Sequence, residues 1–229
     1  MTGKFPDASF NYTVTSVKTN FTCFLIAQDS GSFEDYLSYY KEIELPYDIS
    51  LDLDWIIFPM SSVVPEDYIN RYICEPGKPC DDNPLKYNYL YGFKIKIGDY
   101  VGVVLSKYCT ELGECITEFG IGLVRYLLIV YSSEGNQISQ TVLSQASDQH
   151  FGYVTLSKSD NPCELLSISS KQGILHKFLD YRNSIFQGVL DYYTYIIDMK
   201  GKIKENKTHS SNIRVQSRNR KLYILEEWQ

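Results

Sequence analysis

The chain has 229 residues, 44% apolar and 22% charged, with no long Pro, Gly or Gln run, which excludes a disordered protein and allows one well-filled domain. A net charge of −6 with a pI of about 5.1 argues against nucleic acid as the partner of the whole chain. Twenty Tyr and eleven Phe favour strands, whose pleated surface suits aromatic side chains.

The opening stretch MTGKFPDASFNYTV lacks the basic start, apolar core and small-residue cleavage site of a secretory signal. An extracytoplasmic location therefore requires a leader that has been removed, and such a leader is compatible with a lipid anchor. In SFEDYLSYYK, Ser32 and Asp35 suit a helix start, and Phe33, Tyr36, Leu37 and Tyr40 form one apolar stripe, which predicts a helix over 32–41 stopped by Pro46. ISLDLDW alternates as a half-buried strand, and Pro65 opens a second short helix over 65–73 with Tyr68, Ile69, Tyr72 and Ile73 inward.

YNYLYGFKIKI and YVGVVLSKY pair as a hairpin across Gly98-Asp99. The apolar run 121–131 is too short to cross a bilayer and contains Arg125, so it reads as a buried strand. Segments 124–169 and 192–228 share one layout, with Gly135 and Gly201 at equivalent turns, and each reads as four strands. Between them, Ile174, Leu175, Phe178 and Leu179 fit a helical face. The expected architecture is one α+β domain, predominantly antiparallel β, built of meander, sandwich-like or partial-propeller sheets with two or three short helices. Residues 1–86 form its mixed, acidic part and 87–229 its meander.

Six cysteines include two pairs at the same spacing, Cys74 with Cys80 and Cys109 with Cys115. That spacing exceeds the one usual for zinc. Turn residues in both loops favour a disulfide across each, constraining the unfolded chain by about 2.4 kcal/mol apiece, with Cys23 and Cys163 as a long-range third pair. Six reduced thiols in a cytosolic core are the other reading. The disulfide reading places the protein in the periplasm or at a cell surface.

No nucleophile elbow, zinc-protease helix or phosphate loop is present, and His150, His176 and His209 each fit a structural or solvent role, so no enzyme, metal or cofactor is expected. Charge carries more. From Asp29 to Asp67 there are ten acidic residues against Lys41 alone, whereas from Lys171 onward eleven bases face six acids. Glu34, Asp35, Glu42, Glu44, Asp48, Asp52, Asp54, Glu66 and Asp67 would steer a basic partner if the fold gathers them, or form a solvated face if it does not. Tyr87, Tyr89 and Tyr91, and Tyr193 with Tyr195, share strand faces that could stack on a glycan or simply cover a sheet.

The strand words LLIVYSSEGNQI and YTYIIDMKGKI resemble secreted or membrane-anchored bacterial β-meander proteins, some of which are immunity proteins that block a toxin. The expected function is a non-enzymatic interaction protein, an immunity or inhibitor protein that binds a basic toxin. The alternative is an extracytoplasmic surface protein that binds a ligand such as a glycan.

Overall fold

A computed structural model describes residues 31–51, 63–74, 87–109, 124–147, 149–218 and 221–229. The first helix, α1 (Phe33–Ser38), starts where the sequence predicts: Asp35 N donates to Ser32 Oγ at 3.1 Å and Ser32 N to Asp35 Oδ2 at 2.8 Å, a reciprocal cap. It ends before Pro46 because the chain turns into β1 (Lys41–Glu42), which joins a sheet. The second helix is a single turn, α2 (Glu66–Tyr68), continued by a π-helical turn over Ile69–Ile73 that buries Ile69, Tyr72 and Ile73.

Eleven strands among the described residues form two sheets. Besides β1 they are β2 (Tyr47–Leu51), β3 (Tyr87–Ile97), β4 (Tyr100–Cys109), β5 (Val124–Tyr131), β6 (Gln137–Ala146), β7 (His150–Lys158), β8 (Glu164–Asp180), β9 (Ile185–Asp198), β10 (Ile203–Arg218) and β11 (Lys221–Trp228). Sheet A has the order β1-β3-β4-β5-β6 and sheet B the order β11-β10-β9-β8-β7-β2. All neighbours are antiparallel except β1 and β3. The protein is thus an α+β fold dominated by antiparallel sheet.

Sheet A is covered on both faces. One face packs Phe93, Ile95, Val104, Leu128 and Val130 against Val154, Leu156, Ile168, Tyr195 and Ile197 of sheet B. The other packs Tyr89, Tyr91, Val103, Leu105, Ile129 and Tyr131 against Phe33, Tyr36 and Tyr40 and the Val64–Ile73 segment. Removing a large apolar side chain of this kind from water contributes about 1.5–3 kcal/mol.

Sheet B divides its long strands between two cores. The β8–β9 register runs unbroken from Leu166 to Leu175, so alternation sends Leu166, Ile168 and Ser170 to one face and Gly173 and Leu175 to the other. The first set meets sheet A. On the second face, Phe151, Leu175, Leu190, Ile213, Val215 and Leu222 form a separate core inside a curled half-barrel. The curl brings β11 back toward β7, and the Tyr153 hydroxyl donates to the Leu222 carbonyl at 3.2 Å although three strands lie between them in sheet order.

Two sequence expectations are corrected here. Ile174, Leu175, Phe178 and Leu179 lie in β8, not in a helix. Segments 124–169 and 192–228 are not equivalent units: the first supplies β5 and β6 to sheet A and β7 and β8 to sheet B, whereas the second lacks the expected central loop. There, Thr208–Ser211 belongs to β10, which passes a bulge between Lys207 and His209 and continues to Arg218. Gly135 and Gly201 do occupy hairpin turns at φ of 86° and 72°, where glycine carries no steric penalty. Each lies under an aromatic ring, that of Phe33 and that of Tyr100 respectively.

Candidate functional site

Seven of the nine acidic residues singled out in the sequence lie among the described residues, and all seven are exposed. Asp52 and Asp54 lie outside the described residues. Glu34 and Asp35 sit in the first turn of α1 and Glu66 and Asp67 in α2, where carboxylates favour the helix start. The two helices share one layer, with the Tyr36 and Tyr68 rings 5.5 Å apart. Burial, then the neighbouring Tyr39, then the Asp35 carboxylate raise the Tyr68 hydroxyl above its ordinary pKa. Glu42, Glu44 and Asp48 follow along 42–48, where the chain leaves sheet A for sheet B.

Two of the seven have local work. Asp35 closes the helix cap and Asp48 accepts from Thr155 Oγ1 at 2.7 Å. None of the ion pairs between described residues uses any of the seven; Lys204–Asp198, Lys207–Asp191 and Arg214–Glu226 all belong to sheet B. Two bases of the helix side reach backbone carbonyls: Arg71 donates to that of Gly31 at 3.1 Å and Lys94 to that of Leu37 at 3.2 Å. Lys94, Lys96 and Glu42 line a cleft of about 690 Å³ between α1 and the β3–β4 turn.

The same layer carries Tyr39, a residue the sequence reading passed over. It is 59% exposed and stacks on Tyr91 with ring centroids 5.0 Å apart and planes 18° from parallel. Its position off the 33, 36, 37, 40 stripe was the available signal, since a helix turns such a residue outward.

The proposed tyrosine surface is corrected. Tyr89 and Tyr91 are buried beneath the helices, Tyr195 is buried between the sheets and Tyr193 is half-buried; the side chain of Tyr87 lies outside the described residues. The buried rings form a hydroxyl chain in which Tyr40 donates to Tyr36 at 2.6 Å and Tyr131 donates to the Tyr72 carbonyl at 2.7 Å, with the Tyr36 and Tyr131 oxygens 3.4 Å apart. Burial, only partly offset by hydrogen bonding with Tyr131 and Tyr40, pushes the Tyr36 hydroxyl up to about 12. Tyr193 and Tyr195 instead border a polar cleft of about 320 Å³ with Thr141, Gln145, Gln172 and Glu205. Alternation within one strand could not have found it, because β6 and β9 come from different sheets.

Cys74 is not free, but Cys80, Cys23 and Cys115, like the side chain of Cys109, lie outside the described residues, so neither short bridge has both ends in view. Cys163 is an exposed free thiol, which corrects its expected pairing with Cys23. Among the described residues no three His, Cys, Asp or Glu side chains gather in a metal-binding cluster, and no helix is long and apolar enough to cross a membrane. His150 Nδ1 lies 2.9 Å from Ser147 Oγ, and His209 stacks on Tyr192.

No known family, characterised protein or solved structure matches this chain.

Proposed function

We propose that the protein is a non-enzymatic interaction protein whose helical face binds a basic protein, as an immunity or inhibitor protein covers a cationic toxin. It would act outside the cytosol, in the periplasm or at a cell surface, which accords with short cysteine loops suited to disulfides. One observation carries this reading: seven exposed carboxylates, none ion-paired to a described residue, on and beside the layer that presents the exposed ring of Tyr39. Exposed carboxylates project their field outward and accelerate encounter with a cation. A tyrosine ring presented among them is the kind of anchor that contributes most at protein interfaces. A glycan reading has less support, because three of the five tyrosines it needs are buried and only Tyr193 offers part of its ring to a cleft.

The test reverses Glu34, Glu42, Glu44, Glu66 and Asp67 to Lys, sparing Asp35 and Asp48 for their local bonds. Association with a partner isolated on the native protein should slow by about tenfold or more at low salt, and the salt dependence should flatten, with the circular dichroism spectrum unchanged. Equal association rates at low salt would reject the acidic-face mechanism.

A further inference from the structure

Ser106, Tyr126 and Ser144 stand directly opposite one another on β4, β5 and β6, a row of three hydroxyls on the face of sheet A turned toward sheet B. All three residues are buried, at 2%, 4% and 0% exposure, and none of the hydroxyls has a hydrogen-bond partner among the described residues. Buried hydroxyls are nearly always satisfied, because an unpaired one loses its water without replacement. Alanine and phenylalanine would fill the same positions at lower cost. Ser144 packs over Gly152, where an added Cβ would fall 1.9 Å from its Oγ. Ser106 and Tyr126 border something different: a cavity of about 220 Å³ walled mainly by Tyr47, Ile49, Phe93 and Val104, with exposed Lys41 at its rim. The cavity lies where the β3–β4 register shifts between Tyr91 and Phe93.

We propose that this cavity binds a small, uncharged, mainly apolar molecule bearing an oxygen acceptor, held by hydrogen bonds from Ser106 Oγ and Tyr126 Oη. The inference is independent of the acidic helical face. The apolar walls, including the Tyr47 and Phe93 rings 5.1 Å apart, suit hydrocarbon. The two hydroxyls then supply orientation, and burial raises the Tyr126 pKa, so this hydroxyl keeps its proton and remains a donor at neutral pH. A carboxylate would lose its hydration and gain two neutral donors, with only the water-exposed Lys41 at the rim to offset its charge, which disfavours a charged ligand. A cavity of roughly 150 Å³ accommodates benzene, so this one suits a molecule of about ten non-hydrogen atoms.

The test uses the full chain and three probes of similar size: acetophenone, which has a carbonyl acceptor, ethylbenzene, which has none, and benzoate, which is charged. Methyl-resolved NMR follows Ile49 and Val104 during titration. The expected result is saturable shifts with acetophenone, binding about tenfold weaker for ethylbenzene, and weaker still for benzoate. Tyr126→Phe should abolish the preference for acetophenone over ethylbenzene, and Ser106→Ala, as a second and smaller change, should reduce it. Binding of neither neutral probe, equal binding of both, benzoate binding as tightly as acetophenone, or a preference unchanged in both variants would overturn the proposal.

Discussion

In sheet A, each face of β5 serves a different core: Tyr126, Leu128 and Val130 point to sheet B, and Ile129 and Tyr131 to the helices. In sheet B, β8 buries one face near Ile168 and the opposite face near Leu175, leaving the far side exposed at each end. The contrast separates two ways of burying a strand. A strand buried on both faces needs a continuous apolar run, as in VRYLLIVY, whereas a strand shared between cores keeps half its residues polar and changes which half along its length. The chemistry differs too. The helix-side core of sheet A is built around tyrosine hydroxyls, and the half-barrel core holds Phe151 among aliphatic side chains.

Alkali should exploit that difference most strongly. Burial raises the pKa of Tyr36, Tyr40, Tyr91 and Tyr131, so the folded state holds these protons more tightly than the unfolded chain does. Their protonated forms stabilise the fold fully below the ordinary tyrosine pKa of about 10, and that stability is lost as pH rises toward the folded-state value, about 12 for Tyr36. Between these limits the near-ultraviolet dichroism should collapse in step with a cooperative rise in tyrosinate absorbance. Gradual ionisation with the dichroism retained would show that the rings are not held as described.

A pair of cavity-forming changes should sharpen the division between cores. Leu128→Ala and Ile213→Ala should each cost about 2–5 kcal/mol in urea melts. Their hydrogen-exchange footprints should differ, with Leu128→Ala exposing amides in both sheets and Ile213→Ala releasing β10 and β11 first while β4 and β5 stay protected. Identical footprints would mean that the half-barrel and the sandwich open as one body.

The smallest effects concern single hydroxyls. Tyr36→Phe leaves the buried Tyr40 hydroxyl without its acceptor and should cost about 1–3 kcal/mol. Tyr126→Phe removes a hydroxyl that has no partner, so without a ligand its melting temperature should match or exceed that of the native chain. A loss in Tyr126→Phe equal to that in Tyr36→Phe would show that the two hydroxyls stand in equivalent settings.

The same contrast explains what could be read from the sequence. The Ser32–Asp35 cap, the Gly98-Asp99 hairpin and strand β5 were legible because each depends on neighbours in the chain. The stretch holding Ile174, Leu175, Phe178 and Leu179 reads as a helix because a strand that changes its buried face sets apolar residues three and four apart. The tyrosines went astray for another reason: Tyr89 and Tyr91 do share a face, but the helical layer that covers it comes from distant stretches of the chain, and the irregularity at Gly92 turns Phe93 to the sandwich instead. Of the candidate site, exposure of the acidic residues was legible because unpaired carboxylates stay in water. The polar cleft and the cavity were not, since both arise where one sheet is laid on another.

The rings over Gly135 and Gly201 bear on where this protein could be engineered. Hairpin tips are the usual choice for grafting a peptide or opening a permuted terminus, because most of them project freely into solvent. These two are clamped: Phe33 from α1 covers one, and Tyr100 from the β3–β4 turn covers the other. An insert at either would have to lift a ring from its seat before it added a residue. The turn at 181–184, where Tyr181 is 79% exposed, is the better place to lengthen the chain.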